Sequence, residues 1–256
     1  PLLLCGGCLS APAEQQTIAV ASYNIKHGRG MDNRVDLART AGVLKALDAD
    51  LVALQEVDNA CRRSGRIDEA AALGRLLGMP HAFGKFMDFQ GGAYGMAILS
   101  KYPVDRAITH RLPDGAEPRC ALEVIVRPPG APAGMSFVCI HNDWTDEAIR
   151  GRQVRALLAA LAPRKHPVIL AGDFNAPRSS ASMRLLAAAG WTILEKSGGE
   201  KNTFPADKPR KEIDFIVLRG FGGRTPACRV HAETAASDHR PIIAVLTLEK
   251  QAPDNK

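Results

Sequence analysis

Pro167-Val168-Ile169-Leu170-Ala171-Gly172-Asp173-Phe174-Asn175 sets an apolar run directly against two polar residues. The run is too short for a stable helix and is bounded by Pro and Gly, so Pro167–Ala171 reads as a buried strand. A core would not choose Asp173 and Asn175 at its exit. The same form recurs along the chain. Thr17–Ile25 is apolar and β-branched and ends around Asn24. Leu51–Val57 ends with Glu56, and Met135–His141 ends with His141. Asp214 opens the strand Ile213–Leu218, and Ser237-Asp238-His239 precedes the strand Ile242–Leu248. Gly95–Ser100, Ala121–Arg127 and Ala227–His231 read as further strands, with Pro128-Pro129-Gly130 as a hairpin connection.

Helical spacing fills the gaps between them. Residues 35–47 place Val35, Leu37, Ala41, Leu44 and Leu47 on one face, and 67–78 repeat the period through Ile67, Ala71, Leu73 and Leu77. Asp146–Leu161 and Ser180–Ala189 are the other two expected helices. No linker, repeat or low-complexity segment divides the series. Local and crossover connections both occur, so the sheets should be mixed. The expected class is α+β: two mixed sheets face to face with helices outside, in one domain spanning 17–249, with 250–256 as a polar tail.

Taken one at a time, these polar residues say little, since Asp before a strand is commonly a cap and His at a strand end is commonly a surface group. As a set at strand ends they form a common rim of carboxylates, carboxamides and histidines on a rigid base. Phosphoester hydrolysis uses such a set. Magnesium or manganese takes hard oxygen ligands and keeps several waters, which Glu56 and Asp238 suit. Asp173 can orient or deprotonate the attacking water. Asn24 and Asn175 can hydrogen-bond a phosphate without repelling it. A histidine can protonate the leaving oxygen, and Asp214 is placed to fix a histidine's tautomer.

The motifs Ser22-Tyr23-Asn24-Ile25, Leu54-Gln55-Glu56-Val57, Ile98-Leu99-Ser100-Lys101-Tyr102-Pro103, Ala171-Gly172-Asp173-Phe174-Asn175, Ile213-Asp214-Phe215-Ile216 and Ser237-Asp238-His239-Arg240-Pro241 occur in this order. Together they resemble the endonuclease/exonuclease/phosphatase superfamily, with its deoxyribonuclease-like fold, over roughly residues 17–248. The resemblance implies a four-layered αββα sandwich and a divalent-metal phosphoesterase. It makes Glu56 the main metal ligand, with Asn24 and Asp238 beside it. It makes Asp173 the water-aligning residue, Asn175 its phosphate-binding partner, His239 the catalytic histidine, Asp214 that histidine's carboxylate, and His141 the second histidine. Arg119 resembles a phosphate-contacting arginine. Two departures stand out. Many members read Thr-His-Leu-Asp where this chain has Ile140-His141-Asn142-Asp143, and Met96 stands where many have Asn.

The superfamily cleaves DNA, RNA, inositol phosphates, sphingomyelin and smaller phosphodiesters, so the motifs give chemistry and not substrate. Phosphodiester hydrolysis is the first expectation. A monoester, inositol-phosphate or lipid-headgroup phosphatase is the alternative, and a non-catalytic binding module a third reading. The 256 residues, 46% hydrophobic and 23% charged, exclude global disorder, and the net charge of +6 is compatible with an anionic substrate. Lys26, His27, Arg29 and Arg34, then Arg62, Arg63 and Arg66, then Lys208, Arg210 and Lys211 flank the motifs and would suit a polyanion such as nucleic acid. At 5% aromatic residues, base-stacking platforms are scarce, and no apolar hairpin reads as a membrane-inserting loop. No apolar stretch reaches the roughly 18 residues of a membrane span.

Leu2-Leu3-Leu4-Cys5-Gly6-Gly7-Cys8 followed by Ala11-Pro12-Ala13 reads as the end of a secretory leader over residues 1–16, with a flexible tail as the alternative. Cys8 resembles a lipoprotein anchor site, and the expected location is outside the cytoplasm. Export would permit one disulfide among Cys61, Cys120, Cys139 and Cys228. After Cys5 and Cys8 no C-x-x-C pair or His-rich tract follows, so no zinc site is expected.

Overall fold

The computed structural model describes residues 16–131, 133–222 and 226–248. The leader segment up to residue 15, with Cys5 and Cys8, and the tail 250–256 lie outside the described residues. Gln16 already belongs to the first strand. The elements in chain order are β1 (Gln16–Asn24), α1 (Leu37–Leu47), β2 (Leu51–Asn59), α2 (Glu69–Leu77), β3 (His81–Phe89), β4 (Gly92–Ser100), β5 (Val104–Arg111), β6 (Cys120–Val126), β7 (Met135–His141), α3 (Glu147–Leu161), β8 (Val168–Asp173), α4 (Ala181–Ala188), β9 (Thr192–Ile193), β10 (Lys196–Ser197), β11 (Asp214–Arg219), β12 (Cys228–Val230) and β13 (Ile242–Leu248).

One sheet has the order β10-β12-β13-β1-β2-β4-β3 and the other β5-β6-β7-β8-β11-β9, both mixed. Side-chain alternation sorts each strand between two cores. Ile18 and Val20 of β1, Leu51 and Ala53 of β2, Phe137 and Cys139 of β7, Ile169 and Ala171 of β8, and Ile216 of β11 meet between the sheets. Ala21, Tyr23, Val52 and Leu54 instead pack against α1 and α2, and Val138, Leu170, Phe215 and Val217 against α3 and α4. The result is the expected four-layered αββα sandwich. The helices begin where an acid or hydroxyl caps them: Asp36, Asp68, Asp146 and Ser180 each accept a backbone N–H of the first turn.

Four strands are absent from the sequence reading. β3 and β5 are edge strands, half-exposed and carrying polar residues, so they show no apolar run. The two-residue strands β9 and β10 are too short to leave a pattern. The turn between β3 and β4 has Gln90 and Gly91 both at positive φ, the geometry that suits the twist of a tight hairpin. Cys61, Cys120, Cys139 and Cys228 are all buried free thiols, so the described cysteines form no disulfide.

On the helix side of β6, Glu123 is fully buried yet charged. One carboxylate oxygen accepts from Arg164 Nε and Ser136, and the other bonds Arg164 Nη2 and His110, each to Arg164 at 2.7 Å. Burial opposes the charge, but these donors outweigh it and hold the carboxyl down at about 2. The pair's stabilisation is therefore present above the ordinary carboxylate range and is lost as pH falls toward 2. Glu123→Ala leaves Arg164 with no carboxylate beneath α3. We expect a loss of about 2–4 kcal/mol at neutral pH, since Arg164 keeps some contact with water, read from the urea midpoint.

Candidate active site

Asn24, His141, Asp173 and Asp214 share one feature that follows from alternation. Each lies on the inter-sheet side of its strand: His141, Asp173 and Asp214 stand two residues from the core residues Cys139, Ala171 and Ile216, and Asn24 four from Val20. Their polar groups therefore replace the core at one end of the sandwich. Register aligns them: His141 pairs with Asp173 across β7 and β8, and Asp173 with Asp214 across β8 and β11. Gly172 is required beside them, because a Cβ there would run into the Ile140 carbonyl.

Glu56 arrives differently. Plain alternation along β2 would send it toward the helices with Val52 and Leu54. A bulge between Gln55 and Val57, with Glu56 at φ 57°, gives Val57 that place instead. Glu56 is re-aimed, and its Oε1 accepts from Asn24 Nδ2 at 3.0 Å. Lys26, His27 and Asn175 are also left-handed. Four non-glycine residues in this region at or beside the rim mark strained backbone held by its surroundings.

Asn24 Nδ2 also donates to Asp173 Oδ2 at 3.3 Å, so one buried amide ties the two carboxylates together. Asn175 N donates to Asp173 Oδ1 at 2.8 Å, and the Asn175 side chain donates to the Asn142 carbonyl at 3.1 Å. His239 Nδ1 meets Asp214 Oδ2 at 3.0 Å. The other nitrogen, Nε2, stands 3.7 Å from Asp173 Oδ2, and His141 Nε2 stands 3.6 Å from the same oxygen. Both gaps exceed a hydrogen bond, so neither ring nitrogen is spent on that oxygen. Ser237 donates to the Asn24 carbonyl at 2.7 Å, fixing the loop that carries Asp238 and His239 to β1.

Burial and the neighbouring Asp214 charge push the Asp173 carboxyl up. Burial works against charge on His239 as well, but Asp214 and Asp173 outweigh it, so the ring's pKa is raised. Burial, with Arg119 and His239 adding, drives His141 well down. Two histidines beside one carboxylate are thus pushed in opposite directions, His239 toward the imidazolium and His141 toward the neutral ring.

The cleft above has a volume of about 500 Å³ and is lined by Glu56, Arg119, His141, Asp173, Asn175, Asp238 and His239, while Asn24 and Asp214 sit behind it. All nine site residues expected from sequence converge here. Arg119 is 2% exposed, pairs through Nη2 with Glu117 at 3.0 Å, and has Nε and Nη1 without a protein partner. Lys26 Nζ sits 2.7 Å from Asp238. Of the flanking cations, Arg63 and Lys211 line the cleft. His27 is buried, and burial with the Arg63 charge lowers its pKa to about 4. The departure at Asn142-Asp143 is structural. Asp143 accepts from the backbone N–H groups of Ala116, Thr145 and Asp146 and so pins the exit of β7. Trp144, Phe204, Met87 and Phe89 also line the cleft and were not singled out from sequence, the last two because β3 went unseen.

Ligand atoms of Asp173, Asp214 and His239 lie within 4.8 Å of one another, which is close enough for a cation. The proton between Asp214 and His239 would have to leave for an ion to sit there. Glu56 and Asp238, with oxygen donors only, are the better hard-cation pair.

A family model described as the endonuclease/exonuclease/phosphatase family matches residues 21–239. The chain belongs to this family. Among curated relatives, the uncharacterized protein YbhP of Escherichia coli K12 is 27% identical over 253 residues, covering 92% of this chain and 98% of YbhP. The solved endonuclease/exonuclease/phosphatase from Bacteroides vulgatus superposes with a TM-score of 0.76 at 19% identity, over 92% of this chain and all of that one. Sphingomyelinase C from Streptomyces griseocarneus superposes with a TM-score of 0.68 at 20% identity, over 91% of this chain and all of that one. These structures share the fold. Membership of the endonuclease/exonuclease/phosphatase family supports phosphoesterase activity in general.

Proposed function

We propose that the chain hydrolyses a phosphodiester by in-line attack of water, assisted by Mg²⁺ or Mn²⁺. The Asp173 carboxylate carries this reading. It lies at the cleft floor with two ring nitrogens standing 3.6 and 3.7 Å from one of its oxygens, beyond hydrogen-bond reach, so these three atoms remain available to a water or a phosphoryl oxygen on their cleft side.

Glu56 and Asp238, with Asn24 beside Glu56, would hold the ion. The donor set fits a hard cation: Glu56 Oε2 has no protein donor among the described residues, and Asp238 is balanced only by Lys26 and a long contact to Ser237. When bound, the ion neutralises charge on the phosphoryl oxygens. The chain's own groups supply the rest. Asp173 orients the water and accepts its proton. His239, held charged by Asp214, donates to the phosphoryl or leaving oxygen. His141 contributes a neutral ring. Arg119, at the cleft wall with Nε and Nη1 buried and unpaired, supplies positive charge beside the ester. Asn175 acts chiefly through its backbone N–H on Asp173.

The test is hydrolysis of bis-p-nitrophenyl phosphate, plasmid DNA, RNA, an inositol phosphate and sphingomyelin, each with Mg²⁺, Mn²⁺ or chelator. Turnover of a diester that vanishes in chelator is expected. Full activity in chelator overturns the metal's part. Turnover of monoesters alone moves the assignment to a phosphatase, and none at all to a binding module. Glu56→Gln should weaken metal binding by calorimetry at least about tenfold while leaving the unfolding midpoint near the parent's.

A further inference from the structure

One wall of the cleft is left unused by that chemistry beyond Arg119 and His141 at its near end. Phe89 of β3 and Tyr94 of β4 line it, and the buried Phe86 of β3 backs it, edge-on to Tyr94 at 5.5 Å between centroids. Arg119, before β6, lies over Phe86 at 5.0 Å. Arg63, between β2 and α2, lies over Phe89 at 4.6 Å and Tyr94 at 4.9 Å. Phe86 in turn approaches His141 at 6.0 Å. Two guanidinium groups thus alternate with rings along a wall that starts at an active-site histidine.

Arg63 is fixed before any ligand arrives. Its Nε and Nη2 fork onto Asp58 at 2.8 and 2.9 Å, and Asp58 is fully buried with its own N–H held by Glu69 at 2.8 Å. The Arg63 N–H donates to the Gln90 side chain at 3.0 Å. Nη1 has no protein acceptor among the described residues. A guanidinium held on aromatic faces with a donor to spare suits a planar or tetrahedral anion and loses little entropy in binding it. Elsewhere on the surface, Arg39, Lys85, Lys101 and Arg150 are each matched by a neighbouring carboxylate. The cleft, at about 500 Å³, is of a size that suits a small molecule.

We propose that Arg63 forms a subsite for a second anionic group, so that the substrate is a small phosphoester bearing a further phosphate or carboxylate near the scissile one. This rests on the phosphoesterase reading, and the test separates the two. Thymidine 5′-(p-nitrophenyl phosphate) and the same ester carrying a 3′-phosphate differ only in the second anion. With Mg²⁺, the parent should favour the 3′-phosphate ester about tenfold or more in kcat/KM, and Arg63→Gln should erase the preference. A parent with no preference, or a variant that keeps it, overturns the subsite. Hydrolysis of neither ester counts against the phosphoesterase reading alone, because calorimetry then decides the subsite. Thymidine 3′,5′-bisphosphate should bind the parent about tenfold tighter than thymidine 5′-monophosphate, and equally in Arg63→Gln. Equal binding to the parent overturns the proposal. Since Arg63→Gln strands the buried Asp58, the double variant Asp58→Asn/Arg63→Gln removes both charges together and should lose the same preference.

Discussion

Asp173→Asn should lower turnover by about 10²–10⁴-fold, the range for a positioned acid–base group, without unfolding the protein. The carboxylate's shape can be kept by an amide, and the Asn175 N–H at 2.8 Å still finds an oxygen. The amide cannot accept a proton, and its NH₂ group faces the Asn24 amide and the two imidazoles instead of a water. The stability effect runs the other way. Burial and Asp214 raise the Asp173 pKa, so the folded state holds this group's proton more tightly than the unfolded chain does. Above the ordinary carboxylate range the ionised form therefore costs the fold free energy, and a neutral amide removes that cost. In chelator, the variant should unfold near the parent's temperature, because the lost Asn24 hydrogen bond and the lost partner of the His239 charge offset that gain. A parent-like turnover would remove Asp173 from the chemistry. A large drop in the unfolding midpoint would make it a structural residue.

The candidate site was largely legible because it obeys alternation. Ile169 and Ala171 face the other sheet, so Asp173 must, and the same count from Phe137 and Cys139 places His141. Glu56 breaks the count. Its motif marked it, but only the bulge at Gln55/Val57 explains how a residue on the helix-facing register reaches the cleft. Bulges leave no periodic trace. The wall carrying Arg63 was hidden for another reason. β3 is an edge strand, so its inward residues Phe86 and Met87 are not embedded in an apolar run, and their strand could not be read. The Lys26–Asp238 pair joins residues far apart in sequence through a left-handed turn, and spacing cannot announce it.

His239→Ala should also lose about 10²–10⁴ in turnover, and Asp214→Asn shows why. Asp214 touches neither the cleft nor the groups proposed to hold the ion. It accepts from His239 Nδ1 at 3.0 Å behind the ring. Its substitution should therefore lower turnover while metal affinity, measured by calorimetry, stays near the parent's. The pH profile distinguishes this role from loosened packing. Asp214 raises the His239 pKa against the cost of burial, so removing its charge lowers the pH at which the ring loses its proton. The same charge raises the Asp173 pKa, so that carboxyl ionises at lower pH as well. Both limbs of the profile should move to lower pH together. A merely structural Asp214 would depress the profile without moving either limb. Turnover within a few-fold of the parent in both His239→Ala and Asp214→Asn would end the assignment of His239 as the charged donor.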